Sequence, residues 1–212
     1  IGDNTAQQMA NSAWAFAKLG VRNEPLLDAI AEQSIASGGA FGPHELSSLA
    51  WAFVKLSAAE TSCMRLIARE AARKLAAASP RSMSALAWAF AKTGIDDEGK
   101  DLLIAIANQA EPQLHRFGPP ELAGLAWAAA TAGLGGGRLL PALGSAARGK
   151  IADFTPQGLS NVAWSFATLD VHDEDLFDSL VPEAVAKLKD FKAQELCNLV
   201  WSLARLDLSY PK

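Results

Sequence analysis

The chain has 212 residues, 50% of them hydrophobic and 20% charged, with a formal net charge of −4. That is ample apolar material for a core, yet no run approaches the ~18 or more apolar residues that span a bilayer, and one tyrosine with no alternating β-branched runs gives strands almost no support, so no sheet is expected. Cys63 and Cys197 stand far apart with no CxxC or CxxH partner, which indicates neither a zinc site nor a disulfide framework; both read as small buried residues.

All six tryptophans obey one period: Trp14, Trp51, Trp88, Trp127, Trp164 and Trp201 follow one another at 37, 37, 39, 37 and 37 residues. Self-similarity of this length marks a repeat architecture, in which each unit buries its apolar face only by stacking on its neighbours. The expected fold is an all-α, right-handed-type α-solenoid of about six helix-turn-helix repeats of 37–39 residues, forming a single domain over 1–212. The repeats run at about 5–41, 42–78, 79–117, 118–154 and 155–191, with a partial copy at 192–212.

In chain order, Thr5, Gly42, Ser79, Gly118, Thr155 and Lys192 stand where each first helix would be capped, and Pro43, Pro80, Pro119 and Pro156 follow at the first helical position. Phe41, Phe117, Phe154 and Phe191 precede the cap, with Asn4 and Ala78 as exceptions. Leu46, Leu122, Leu159 and Leu196, five residues after those phenylalanines, complete a hydrophobic staple. Each first helix should close six residues after its tryptophan, at Gly20, Ser57, Gly94, Gly133, Asp170 or Asp207. Acidic clusters such as Asp96-Asp97-Glu98 and Asp173-Glu174-Asp175 then favour a second helix start. The second helices are predicted over 26–36, 64–75, 102–114, 139–152 and 176–188. The fourth, preceded by Gly135-Gly136-Gly137 and interrupted by Pro141 and Gly144, should start late or kink. Ile1-Gly2-Asp3-Asn4 contains neither a methionine nor a signal-peptide core, and the sixth copy stops at Tyr210-Pro211-Lys212 without a second helix, so both ends read as trimmed and the chain as soluble.

At 100° per residue the first helix has three faces. Leu46, Leu49, Phe53 and Leu56 typify an apolar stripe for the second helices. Ser47, Ala50 and Val54, or Ser160, Ala163 and Ala167, form a small face that permits close approach of the neighbouring first helix. Tryptophan borders this small face, and burying its ring would stabilise the array by about 5 kcal/mol, so it is expected as a wedge between repeats. The third face is polar and is the candidate binding surface. Four residues after tryptophan it carries Lys18, Lys55, Lys92, Thr131, Thr168 and Arg205, and three before it Asn11, Ser48, Ala85, Gly124, Asn161 and Asn198. Seven before stand Gln7, His44, Arg81, Pro120, Gln157 and Gln194. Stacked copies would turn these into ladders of basic and amide side chains.

The unit Phe154-Thr155-Pro156-Gln157-Gly158-Leu159-Ser160-Asn161-Val162-Ala163-Trp164-Ser165-Phe166-Ala167-Thr168-Leu169, with Gln194-Glu195-Leu196-Cys197-Asn198-Leu199-Val200-Trp201, resembles the octotricopeptide repeat family and its relatives in algal and apicomplexan organelles. The likeness covers essentially the whole chain. It implies a helical-repeat protein of a chloroplast or mitochondrion that binds organellar RNA, single-stranded or structured, or that is a subunit of a large assembly, and it implies no catalysis. Ala85 and Gly124 depart from the asparagine of the other copies.

On that reading Lys18, Lys55, Lys92 and Arg205 are candidate phosphate contacts. Asn11, Ser48, Asn161, Asn198, Gln7, His44, Arg81, Gln157 and Gln194 are candidate base-edge contacts. Against it, the lysines also read as solvated residues favoured near a helix C-terminus, and the asparagines as groups that satisfy loop backbone. Base stacking on the tryptophans competes with their role in packing. His44, His115 and His172 fall at three different repeat positions, so no metal site or catalytic group is expected, and Gly133-Leu134-Gly135-Gly136-Gly137-Arg138 lacks the Gly-Lys-Ser/Thr ending of a phosphate loop. The net negative charge opposes nucleic acid, but the acidic residues cluster in the turns and leave the polar face locally basic. The alternative partner is protein, with the chain a scaffold subunit that touches no RNA. Neither reading involves a cofactor, a small-molecule substrate or membrane insertion.

Overall fold

The computed structural model describes residues 5–36, 39–58, 61–94 and 97–209. Ile1-Gly2-Asp3-Asn4, Asp96 and Tyr210-Pro211-Lys212 lie outside the described residues. Among those described, the regular elements are all helical, as the periodicity predicts. Two compact units are formed, Ile1–Gln109 and Ala110–Lys212. In the first, α1 (Ala6–Leu19), α3 (Pro43–Lys55) and α5 (Pro80–Thr93) are first helices, alternating with α2 (Glu24–Ala36), α4 (Thr61–Lys74) and α6 (Asp97–Ala110). In the second, α7 (Pro119–Thr131), α9 (Pro156–Thr168) and α11 (Ala193–Arg205) alternate with α8 (Leu139–Arg148) and α10 (Glu174–Ala186).

Helix starts follow their local chemistry. Thr5 Oγ1 accepts from the Gln8 backbone N–H at 3.3 Å while Gln8 Oε1 accepts from the Thr5 N–H at 2.9 Å, a reciprocal cap. Ser79 accepts from Ser82 N–H, Thr155 from Gly158 N–H and Asp173 from Leu176 N–H. Lys192 has no side-chain oxygen to offer, and there the Glu195 carboxylate accepts the Lys192 N–H at 2.9 Å instead. At the other end all six predicted closing positions take the left-handed conformation, including the non-glycines Ser57 (φ 53), Asp170 (φ 56) and Asp207 (φ 53). After five of them, Gly20, Ser57, Gly133, Asp170 and Asp207, the next residue back-bonds to the helix, as from Ala58 N to Phe53 O at 2.8 Å and Val171 N to Phe166 O at 2.9 Å, so the turn satisfies carbonyls that the helix leaves open.

The second helices differ from expectation at their ends. Where one long helix is predicted, the chain tightens into a 3₁₀ turn at Leu75–Ala77, Glu111–Arg116, Ile151–Asp153 and Leu188–Asp190 before the next phenylalanine or Ala78. The fourth second helix starts at Leu139, the first residue of its predicted range, so the late start expected of it does not occur; it is short instead because it ends at Arg148. Its Gly144 is buried against Asp173 and Phe166, so a Cβ there would meet Asp173 Oδ2 and lie 3.3 Å from Phe166 Cζ.

Packing explains the rest of the pattern. The most extensive contacts within each unit join successive first helices, α1 with α3 and α3 with α5, then α7 with α9 and α9 with α11. Small residues make this possible: Ser47, Ala50, Ser160, Ala163 and Ala167 are all buried at these seams. The stripe of Leu46, Leu49, Phe53 and Leu56 is buried as expected. None of the six tryptophans is buried, which corrects the wedge expectation; Trp14 is 41% and Trp201 45% exposed, and the other four are half-buried. Helices brought together over alanine and serine leave no room for an indole between them, so the ring is displaced to the rim of the seam. Phenylalanine fills the core instead, with Phe53, Phe90, Phe117, Phe154, Phe166 and Phe177 fully buried. Cys63 is buried as expected, but Cys197, at the small-face position of α11, is exposed, which corrects the reading of both as buried residues.

A second lysine series, absent from the sequence expectations, ties each repeat to itself. Lys74 Nζ donates to the carbonyls of Gly39 (2.6 Å) and Phe41 (2.7 Å), Lys150 to those of His115 (2.9 Å) and Phe117, and Lys187 to those of Ala152 (2.6 Å) and Phe154 (2.7 Å). Each lysine ends a second helix or the turn after it and reaches back 33 and 35 residues to the linker that leads into its own repeat.

Candidate nucleic-acid interface

In the first unit, the polar faces of α1, α3 and α5 meet in a groove of about 430 Å³, lined by Asn11, Trp14, Lys18, His44, Ser47, Ser48, Trp51, Arg81 and Ala85. The helix period assembles it: Asn11 and Ser48 stand one turn before Trp14 and Trp51, Lys18 one turn after Trp14, and His44 and Arg81 in the first turns of the next two first helices. Five of the residues singled out from the sequence, Asn11, Lys18, His44, Ser48 and Arg81, are thus brought together. Gln7, Lys55 and Lys92 are exposed on the same helices but outside the groove lining.

The groove carries two cations, Lys18 and Arg81, and no carboxylate in its lining. Among the described residues neither forms an ion pair, nor does Lys55 or Lys92. The Lys18 ammonium lies instead 5.4 Å from the centroid of Trp14 and 5.5 Å from that of Trp51. An ammonium over an indole face is held by the negative face of the ring quadrupole. A surface that keeps cations without neutralising them presents a field that an anionic ligand can answer. Tryptophan therefore belongs to this face as well as to the seam, a placement the packing argument from sequence misses; the only sequence signal for it is that the ring borders the small face without lying within it.

The second unit differs. The position of Lys18 is taken by Thr131 and Thr168, and Thr131 Oγ1 donates to its own helix at Trp127 O, 2.9 Å away. Arg205 is paired with Asp170 at 3.5 Å, both side chains about half-exposed or more, so it stands apart from the three lysines with which the sequence groups it. Asn161 and Asn198 are half-buried, and Gln194 Nε2 donates to Asn198 Oδ1 at 3.0 Å, an i, i+4 amide pair on α11; Gln157 is exposed. With their caps, α7, α9 and α11 carry Glu121, Asp170, Glu195 and Asp207 against Lys192 and Arg205, whereas α1, α3 and α5 carry Lys18, Lys55, Arg81 and Lys92 against Glu45.

His115 and His172 are exposed and apart from the groove, and no group of three His, Cys, Asp or Glu side chains among the described residues is arranged to hold a metal ion. The loop around Gly133 to Arg138 is a turn between α7 and α8, its Arg138 paired with Glu111 at 3.2 Å. No described helix is long and apolar enough to cross a membrane. No curated protein matches the chain. The family described as RNA-editing substrate-binding complex 6 protein matches residues 1–211, and the chain belongs to that family.

Proposed function

We propose that the chain binds single-stranded RNA through the exposed face of α1, α3 and α5, as a binding and not a catalytic component of organellar RNA metabolism in a mitochondrion or chloroplast. The observation that carries this reading is the groove of the first unit, which combines two unneutralised cations, amide and hydroxyl groups and two half-exposed indoles, with no carboxylate in its lining. Phosphate neutralisation supplies the affinity and the polar groups face the bases. The family's name, which refers to a complex that binds RNA-editing substrates, supports the same reading. The repeat itself we infer to be of the octotricopeptide kind.

A second reading is favoured for the second unit, where Arg205 is internally paired and carboxylates outnumber cations on the first helices. That face suits a protein subunit of a large assembly better than a phosphate backbone. The test is binding of short labelled RNAs followed by anisotropy across a range of salt. If Lys18, Lys55, Arg81 and Lys92 each meet one phosphate, the log–log slope is about −3, from about 0.7 per contact on a single strand, and the Lys18→Gln/Arg81→Gln double variant makes it shallower by about 1.4. Absence of binding at low salt would leave protein docking as the role of both faces.

A further inference from the structure

Two indoles line the groove of the first unit, and one ammonium lies close to both. Trp14 and Trp51 sit on helices that pack directly on one another, both rings reach the groove, and the Lys18 ammonium lies within 5.5 Å of each centroid. The two rings are therefore no more than about 11 Å apart, the sum of the two ammonium distances. Among the described residues Lys18 is the one cation that sits over an indole; Lys55 and Lys92, at the same position of the next two copies, have no such contact, and the second unit has Thr131, Thr168 and the Asp170-paired Arg205 there.

We propose that the space held by the Lys18 ammonium is a base slot. One unpaired nucleobase of single-stranded RNA lays its face against Trp14 and Trp51, and Lys18 swings outward to the flanking phosphate. The inference rests on the RNA reading above and deepens it by naming the binding mode. Three observations converge on it. An indole face that attracts an ammonium also attracts the flat face of a base, so the slot has the chemistry for either occupant. The ammonium is on a flexible four-carbon stem anchored one turn from Trp14, with no acidic partner to hold it in place, so vacating the slot breaks no ion pair. Asn11 and Ser48, each one turn before an indole, place an amide and a hydroxyl at the groove wall where the edge of a stacked base would lie, and Arg81 adds a second cation to the same groove.

The experiment uses the whole chain with short unstructured oligouridine and oligoadenosine RNAs, and with the same RNAs carrying one abasic nucleotide moved along the strand. Affinity and intrinsic tryptophan fluorescence are read together. Wild type should show fluorescence quenching on binding and a loss of about tenfold to a hundredfold at one register of the abasic nucleotide, the worth of one stacked base. Trp51→Leu should bind weaker by a similar factor and lose the abasic penalty. Lys18→Met should keep the quenching and the penalty while its salt slope becomes shallower by about 0.7. Trp14→Leu repeats the test at the more exposed ring should Trp51→Leu fail to fold, and the abasic series on wild type needs no variant. RNA binding with no abasic-sensitive register and no change in Trp51→Leu overturns the slot and leaves the RNA reading standing. Failure of wild type to bind any RNA at low salt overturns both.

Discussion

Replacing Lys187 by methionine tests the carbonyl clamp directly. Lys187 Nζ donates to Ala152 O at 2.6 Å and Phe154 O at 2.7 Å and also meets Glu183 at 2.8 Å, with its side chain 25% exposed. Hydrogen bonds to a charged donor contribute about 1.5–3 kcal/mol each, and the part-exposed position lets water reclaim some of that. Methionine keeps the length and much of the packing of the aliphatic stem, so the loss isolates the ammonium. The expected cost is about 2–3 kcal/mol, seen as a lower urea midpoint for the helical circular dichroism signal of the chain. Lys189→Met, at an exposed position two residues away, is the matched control and should shift stability by less than about 0.5 kcal/mol. Equal midpoints for the two variants would show that the carbonyls are satisfied as well by water as by lysine, and the clamp would then be a geometric coincidence.

Three further outcomes are expected. Ser57→Gly should stabilise the chain by about 0.5–1 kcal/mol in the same titration, because serine there is held at φ 53, where glycine carries no Cβ penalty; a loss of stability would mean the serine side chain compensates. Gly144→Ala should destabilise by about 1–3 kcal/mol in thermal or urea unfolding, since its Cβ displaces Asp173, whose other oxygen caps α10 at Leu176 N–H, and presses on Phe166. Phe117→Ala should cost about 3–5 kcal/mol, more than Trp88→Ala, reversing the order that a buried-tryptophan wedge requires.

Features that depend on near neighbours could be read from the residues themselves. Thr5 with Gln8, Ser79 before Pro80 and the six closing positions are decided within a few residues of chain, and the helices start and stop there. The polar face was readable too, because it follows from helix period alone, and Asn11, Lys18, His44, Ser48 and Arg81 do line one groove. What failed depends on the distance between helices. Whether an indole beside Ala50 lies inside the seam or at its rim is decided by how closely two backbones approach, which pattern does not encode. The pairing of Arg205 with Asp170 joins residues 35 positions apart, and Lys74, Lys150 and Lys187 act across similar spans. These three do share a signal, since each stands four residues before Ala78, Phe154 or Phe191, with Gln113 before Phe117 in the third copy; the signal lies on the second helix, whereas the tryptophan period marks only the first.

The clamp lysines also bear on how such a chain is made. Each joins the last residues of a repeat to the linker at its own beginning, a loop of 33–35 residues closed without help from distant parts of the chain. Contacts this local are formed early and quickly. During synthesis, where the amino end emerges first, a repeat cannot fasten its own entrance until its final turn has left the ribosome, but it then needs nothing that comes later to do so. Assembly can thus proceed as a series of latches, each shut by the arrival of one lysine, and a fault in one latch is confined to the repeat that carries it.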